Sequence, residues 1–160
     1  MDKKVAVLMG SDSDLKIMLP GIEKLKEFSI KTKILILSAH KSPNLAIEFA
    51  KNAEKQNFKV IIAAAGMAAH LAGIVAANTN LPIIGVPINC SLNGLDSLFS
   101  TVQMPKGVPV LTVAINSSLN AAIAACQILA LENPSLKEKL KKMKTKLEEE
   151  IMEKNKNLSF

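Results

Sequence analysis

Five short apolar runs, each followed by a loop and a stretch of helical character, constrain the fold of this 160-residue chain more than any other feature. The runs are Lys4 to Met9 (KVAVLM), Ile34 to Leu37 (ILIL), Val60 to Ala65 (VIIAAA), Pro82 to Val86 (PIIGV) and Val110 to Ile115 (VLTVAI). Between Asp12 and Phe28 the residues Leu15, Met18, Leu19, Ile22 and Leu25 recur at helical spacing. Ser42 and Pro43 can open a second helix as N-cap and first-turn residue, with Leu45, Ile47, Phe49 and Ala50 along it. An Ala-rich stretch from Ala68 to Asn78 follows the third run, and a helix from about Leu119 to Glu132 follows the fifth. Parallel strands need crossovers and are buried on both faces, so the alternation predicts a three-layer α/β sandwich around a parallel sheet. Such sheets bind ligands beyond the carboxyl ends of their strands, which directs attention to the loops after Met9, Leu37, Ala65 and Val86.

The length suits one domain, residues 1–160, and 49 % hydrophobic residues suffice for a filled interior. Aromatic residues make up only 3 %, with neither Trp nor Tyr, so no platform for stacking nucleobases exists. The formal charge of +6 comes entirely from Lys, and without Arg the bidentate reading of guanine is missing. Residues 137–160 carry eight Lys against five Glu, so the excess is spread along the chain, as on a solvated surface. Neither a nucleic-acid nor a membrane partner is expected. The run before Gly10 is too short for a signal peptide and no stretch reaches about 20 apolar residues, which predicts a cytoplasmic protein. Cys90 and Cys126 lack metal-ligand spacing and read as small core residues.

Residues 133–160 break the alternation. After Pro134 a Lys/Glu-rich helix carries Leu136, Leu140, Met143, Leu147 and Ile151 in one apolar stripe. The stripe can pack on its own subunit or lie as an arm on a neighbouring copy.

Three loops hold the candidate chemistry. Gly10-Ser11-Asp12-Ser13-Asp14 precedes the first helix, where backbone N–H groups attract anions, Gly10 permits close approach and Ser11 and Ser13 add hydroxyls. It also reads as an ordinary Ser/Asp N-cap. Asp14 is expected to bond ribose hydroxyls or a ring amine, and Asp12 to face solvent. Ser38-Ala39-His40-Lys41-Ser42-Pro43 puts one of the two histidines and a cation at a strand's carboxyl end; His70, the other, follows the third strand within Ala65-Gly66-Met67-Ala68-Ala69-His70-Leu71. Histidine can move protons near neutral pH, and Lys can pair with phosphate. A His among Ala and Leu can also be a satisfied core residue. The run from Gly94 to Val110 reads as a short helix between Pro and Gly breakers.

Taken together, MGSDSD (Met9 to Asp14), SAHKSP (Ser38 to Pro43), AGMAAHLAG (Ala65 to Gly73), PIIGVP (Pro82 to Pro87), GLDSLFSTVQMPKGVPV (Gly94 to Val110) and NAA (Asn120 to Ala122) resemble the phosphoribosylaminoimidazole carboxylase catalytic-subunit family. Its bacterial form is N5-carboxyaminoimidazole ribonucleotide mutase. The resemblance spans about residues 4 to 132 and favours the mutase subtype. It implies a flavodoxin-like subunit in a homo-octamer, with sites made by neighbouring subunits, the C-terminal helix extending onto another copy, and no metal, nucleotide or biotin in the reaction. That reaction, in purine biosynthesis, moves a carboxyl group from exocyclic N5 to ring C4. By position, His70 is implied as general acid/base with His40 in the same catalytic site. Ser11, Asp14 and Lys41, with Gly10, Ser13, Ser38, Ala39, Gly66, Ala68 and Leu71, are implied as substrate-binding.

The chain departs from the family pattern at Lys41, usually Arg, and at Ala64, Met67, Ala72 and Ile74, where GAGGAAHLPGM has Gly, Gly, Pro and Met. Lys41 loses the bidentate fork, and Met67 brings a side chain to a backbone approach. Three alternatives stay open here: a carboxylase using free CO2, a non-catalytic phosphoribosyl-binding oligomer, and a Lys-rich nucleic-acid binder.

Overall fold

A computed structural model describes residues 5–158. Five parallel strands lie in the order β2-β1-β3-β4-β5, with β1 Val5–Met9, β2 Thr32–Ile36, β3 Val60–Gly66, β4 Ile83–Ile88 and β5 Leu111–Thr112. Six helices connect or follow them: α1 Leu15–Glu27, α2 Pro43–Ala53, α3 Leu71–Ala76, α4 Leu95–Val102, α5 Ser118–Ala130 and α6 Pro134–Lys156. This is the flavodoxin-like order, in which the chain reverses direction across the sheet between β1 and β3. Lys4, the expected start of the first strand, and Ser159 and Phe160, at the far end of the helical segment, lie outside the described residues.

Side chains alternate across each strand, and the two faces build two cores. Val5, Val7 and Met9 join Val60 and Ile62 against Met18, Leu25 and the Ala-rich face of α5. Ala6 and Leu8 join Ile61 and Ala63 against Phe49 of α2 and Leu71 and Val75 of α3. Small residues on α5, Ala121, Ala122, Ala125 and Cys126, let it approach the sheet and α1 closely. The contact with α1 is direct: Gly21 faces the Ser118 backbone, and the Ser118 hydroxyl donates to the Ile17 carbonyl at 2.6 Å.

Several expectations need correction. Burial on both faces holds for β1, β3 and β4 but not for the edge strands β2, whose Ile34 and Ile36 are exposed, and β5, whose Leu111 is exposed. Leu15, Leu19 and Leu45 likewise stand outside the buried stripes of their helices. The fifth strand is two residues rather than six, because the chain folds into a turn at residues 114–117 and Asn116 donates to the Pro87 carbonyl. α3 keeps only six residues of the Ala-rich stretch, since residues 67–70 are spent on turns. In α6, Leu136 and Leu140 are buried and Met143 packs beside them, whereas Leu147 and Ile151 are more than half exposed. The stripe is covered at its start by its own subunit and bare beyond.

Candidate active site

At the β1/β3 switch point the carboxyl-end loops of β1, β2, β3 and β4 surround a cavity of about 420 Å³. Its walls contain every site residue expected from the sequence: Gly10, Ser11, Ser13, Asp14, Ser38, Ala39, His40, Lys41, Gly66, Ala68, His70 and Leu71. Ala65, Met67 and Cys90 complete it. A larger cavity of about 700 Å³ opens at the amino ends of β4 and β5, but among the described residues Lys51 is the sole ionisable one lining it.

The first loop is a capping box that also forms a cavity wall. The Ser11 hydroxyl accepts from the Ser13 N–H at 3.3 Å, and Asp14 Oδ2 accepts from the Ser11 N–H at 3.1 Å. Asp12 is exposed, and Asp14 is buried. A Cβ added at Gly10 would make only ordinary contacts of 3.5 Å or more, so the fold itself does not demand glycine there.

Burial pushes the Asp14 carboxyl above its ordinary value of 3.8, against the lowering effect of hydrogen bonds from Ser11, Ser13 and Gly10. A carboxyl whose pKa is raised on folding binds its proton more tightly in the folded state. Stability therefore falls as pH rises from 3.8 through the folded value, and at neutral pH the charge opposes folding. Asp14→Asn is accordingly expected to raise the melting temperature at pH 7, a gain that calorimetry should see vanish as pH drops below 3.8. A gain independent of pH would contradict this origin.

The second loop is braced by two serines. Ser42 occupies the N-cap position, but its hydroxyl reaches back, accepting from the Ser38 N–H at 3.1 Å and donating to the Ser38 carbonyl at 3.2 Å, instead of capping α2. The Ser38 hydroxyl accepts from the Lys41 N–H at 3.1 Å. His40 is thus presented from a closed turn. Its Nε2 lies 2.8 Å from Nδ1 of His70, with the rings edge to face at 83°. A single hydrogen occupies that bond, so one ring donates and the other accepts. Both rings are exposed to the cleft mouth.

Cys90 corrects the sequence reading: it is exposed on the cavity wall, whereas Cys126 is buried as expected, its thiol pushed up to about 11 by burial. Desolvation, then the carboxylates of Asp14 and Asp96, also raise the Cys90 thiol, which keeps it protonated at neutral pH. Among the described residues no three His, Cys, Asp or Glu side chains cluster as metal ligands, and no helix is long and apolar enough to cross a membrane.

The profile of the family described as AIR carboxylase matches residues 4–150. The chain belongs to the AIR carboxylase family. It is 53 % identical to the N5-carboxyaminoimidazole ribonucleotide mutase of Thermotoga maritima over 97 % of this chain and 91 % of that protein. It is 51 % identical to the protein of the same name from Pyrococcus horikoshii, over 96 % and 88 %. The crystal structure of Treponema denticola PurE superimposes with a TM-score of 0.87 at 28 % identity, covering 98 % of both chains. In this AIR carboxylase family member the departures at Lys41 and Met67 both lie on the cavity wall. Met67 is 60 % exposed in the single chain and stands at the mouth of the cavity.

Proposed function

We propose that this chain is a cytoplasmic isomerase of purine biosynthesis, an N5-carboxyaminoimidazole ribonucleotide mutase acting as one domain over residues 1–160. One observation carries the reading: two histidines thirty residues apart share a 2.8 Å hydrogen bond in a cleft that also holds Ser11, Asp14 and Lys41. The family relatives named above supply the reaction.

In this reading Lys41 pairs with the phosphate as a point charge, and the Ser11 and Ser13 hydroxyls donate to it. Asp14 accepts from the ribose hydroxyls. Gly10, Ala39 and Gly66 allow close approach of the ring and sugar, while Ser38 holds the His40 turn and Ala68 and Leu71 supply apolar wall. The His40–His70 pair delivers a proton to the exocyclic nitrogen, the N–C bond breaks and CO2 is released. Ring carbon C4 then attacks the CO2, and the same pair removes the C4 proton, restoring aromaticity. Nothing is consumed and the proton returns to the pair, so the step needs no cofactor.

The test is direct. Purified chain mixed with N5-carboxyaminoimidazole ribonucleotide should change the ultraviolet absorbance as the C4 isomer accumulates. Absence of product, with calorimetry showing tight binding, would replace this reading by a binding protein.

The bare distal half of α6 supports an oligomer, proposed as an octamer in which this arm lies on a neighbour. Leu147→Lys with Ile151→Lys places charge on that stripe without touching the buried Leu136 and Leu140. Light scattering is expected to show the double variant as a smaller species; an unchanged mass would remove the arm from the interface.

A further inference from the structure

We infer that Met67 is a specificity-determining residue, a flexible apolar arm that closes the cleft mouth and keeps released CO2 from exchanging with solvent. The inference rests on the isomerase reading above and adds to it a role for a residue that departs from the family pattern.

Met67 adopts φ 55°, the left-handed region, and among the described residues it is the one in the cavity wall with a positive φ. For a residue with a Cβ this conformation costs about 1–2 kcal/mol, a cost that glycine escapes. Within one subunit, burial does not offset that cost, because Met67 is 60 % exposed there. The backbone around it is held independently. The Met67 carbonyl accepts from the Ala69 N–H and the Ala68 carbonyl from the His70 N–H, both at 2.8 Å, in two successive tight turns that lead into His70. On the other side Gly66 abuts Cys90 and the Ile88 carbonyl so closely that a Cβ there has no room. The Cα of Met67 is therefore fixed, while the thioether arm keeps its rotatable bonds.

A pinned backbone with a mobile apolar arm suits the intermediate. CO2 is small, neutral and without hydrogens to donate, so the arm can cover it without a partner to satisfy, and Ala65, Ala68 and Leu71 continue the apolar wall. When the N–C bond breaks and before the C4–C bond forms, CO2 either waits under this cover or escapes and is replaced from bicarbonate. Met67 acts on that partition. The proton transfers of the histidine pair are the same in either branch.

Unlabelled N5-carboxyaminoimidazole ribonucleotide is converted in ¹³C-bicarbonate buffer with carbonic anhydrase, and the ¹³C in the early product is read by mass spectrometry after subtracting enzyme-free decarboxylation. Met67→Gly is suited to the backbone conformation and is expected to incorporate about fourfold more label per product than wild type, the factor for ~0.8 kcal/mol of one lost methylene contact. Met67→Leu is expected to return incorporation to the wild-type level; Leu92 shows that this chain accommodates leucine at positive φ. Equal incorporation in all three proteins overturns the inference while leaving the isomerase reading intact. Loss of turnover in folded Met67→Gly with Met67→Leu active also overturns it, because Met67 would then act on chemistry rather than on retention. A wild-type protein that makes no product overturns the functional reading and this inference together.

Discussion

His70→Asn is expected to lower kcat for the isomerisation by roughly 10²- to 10⁴-fold, the usual contribution of a positioned acid/base group. Asparagine keeps a polar side chain of similar size but cannot carry the proton. Because His70 is exposed at the start of α3 and its side chain makes no capping bond, the unfolding free energy should stay within the range of an ordinary surface change, about ±0.5 kcal/mol. The informative companion is His40→Asn. The two rings share one hydrogen bond at 2.8 Å, so they are expected to act as a unit. Each single change should cost nearly as much as the double change. Steady-state kinetics by absorbance checks this, and losses that multiply in the double variant would show two independent groups.

The largest effect on stability is expected at Gly21→Ala. A Cβ at this position on α1 would meet the backbone of Ser118, its carbonyl carbon at 2.8 Å. Backbone cannot rotate aside as a side chain can, so α1 and α5 must separate. That separation also lengthens the 2.6 Å bond from the Ser118 hydroxyl to the Ile17 carbonyl and opens the core around Met18 and Ala121. Overpacking of this kind costs about 3 kcal/mol. At this chain length that corresponds to a melting temperature lower by about 6–12 °C. Scanning calorimetry should show it, whereas a shift under about 2 °C would mean that α1 and α5 part without cost and would overturn this prediction. Ala is the better helix former, so propensity alone predicts the opposite sign.

The strand–loop–helix grammar and the cleft were legible in the sequence for one reason. Buried strands such as Val60 to Ala65 must be continuously apolar, so any polar or titratable residue just beyond them stands out. His40 and His70 were visible that way. Their mutual hydrogen bond was not, because it depends on how the β2 and β3 loops lean across the switch point, which no local pattern encodes. Cys90 was misread for a related reason. Cysteine is most often buried, but two residues past the end of β4 its neighbours are loop rather than sheet, and it falls on the cavity wall. The exposed faces of Ile34 and Ile36 reflect the position of β2 at the sheet edge, and strand order is a property of the crossovers rather than of the strand. The short β5 follows from the turn at Asn116, where asparagine takes up φ 59°. Asparagine is among the few residues that tolerate that conformation, and it was the available signal that the fifth strand stops early.

The contact between Ile17 and Ser118 spans 101 residues. During synthesis, the apolar face that Val5, Val7, Val60 and Ile62 present to α5 stays uncovered until that helix leaves the ribosome. At typical elongation rates the wait is about 5–20 s, long compared with hydrophobic collapse, and the half-made chain is a natural client for a chaperone. A fold that gathers its reactive loops at one end of a parallel sheet thus leaves one face of that sheet bare for seconds while it is being made.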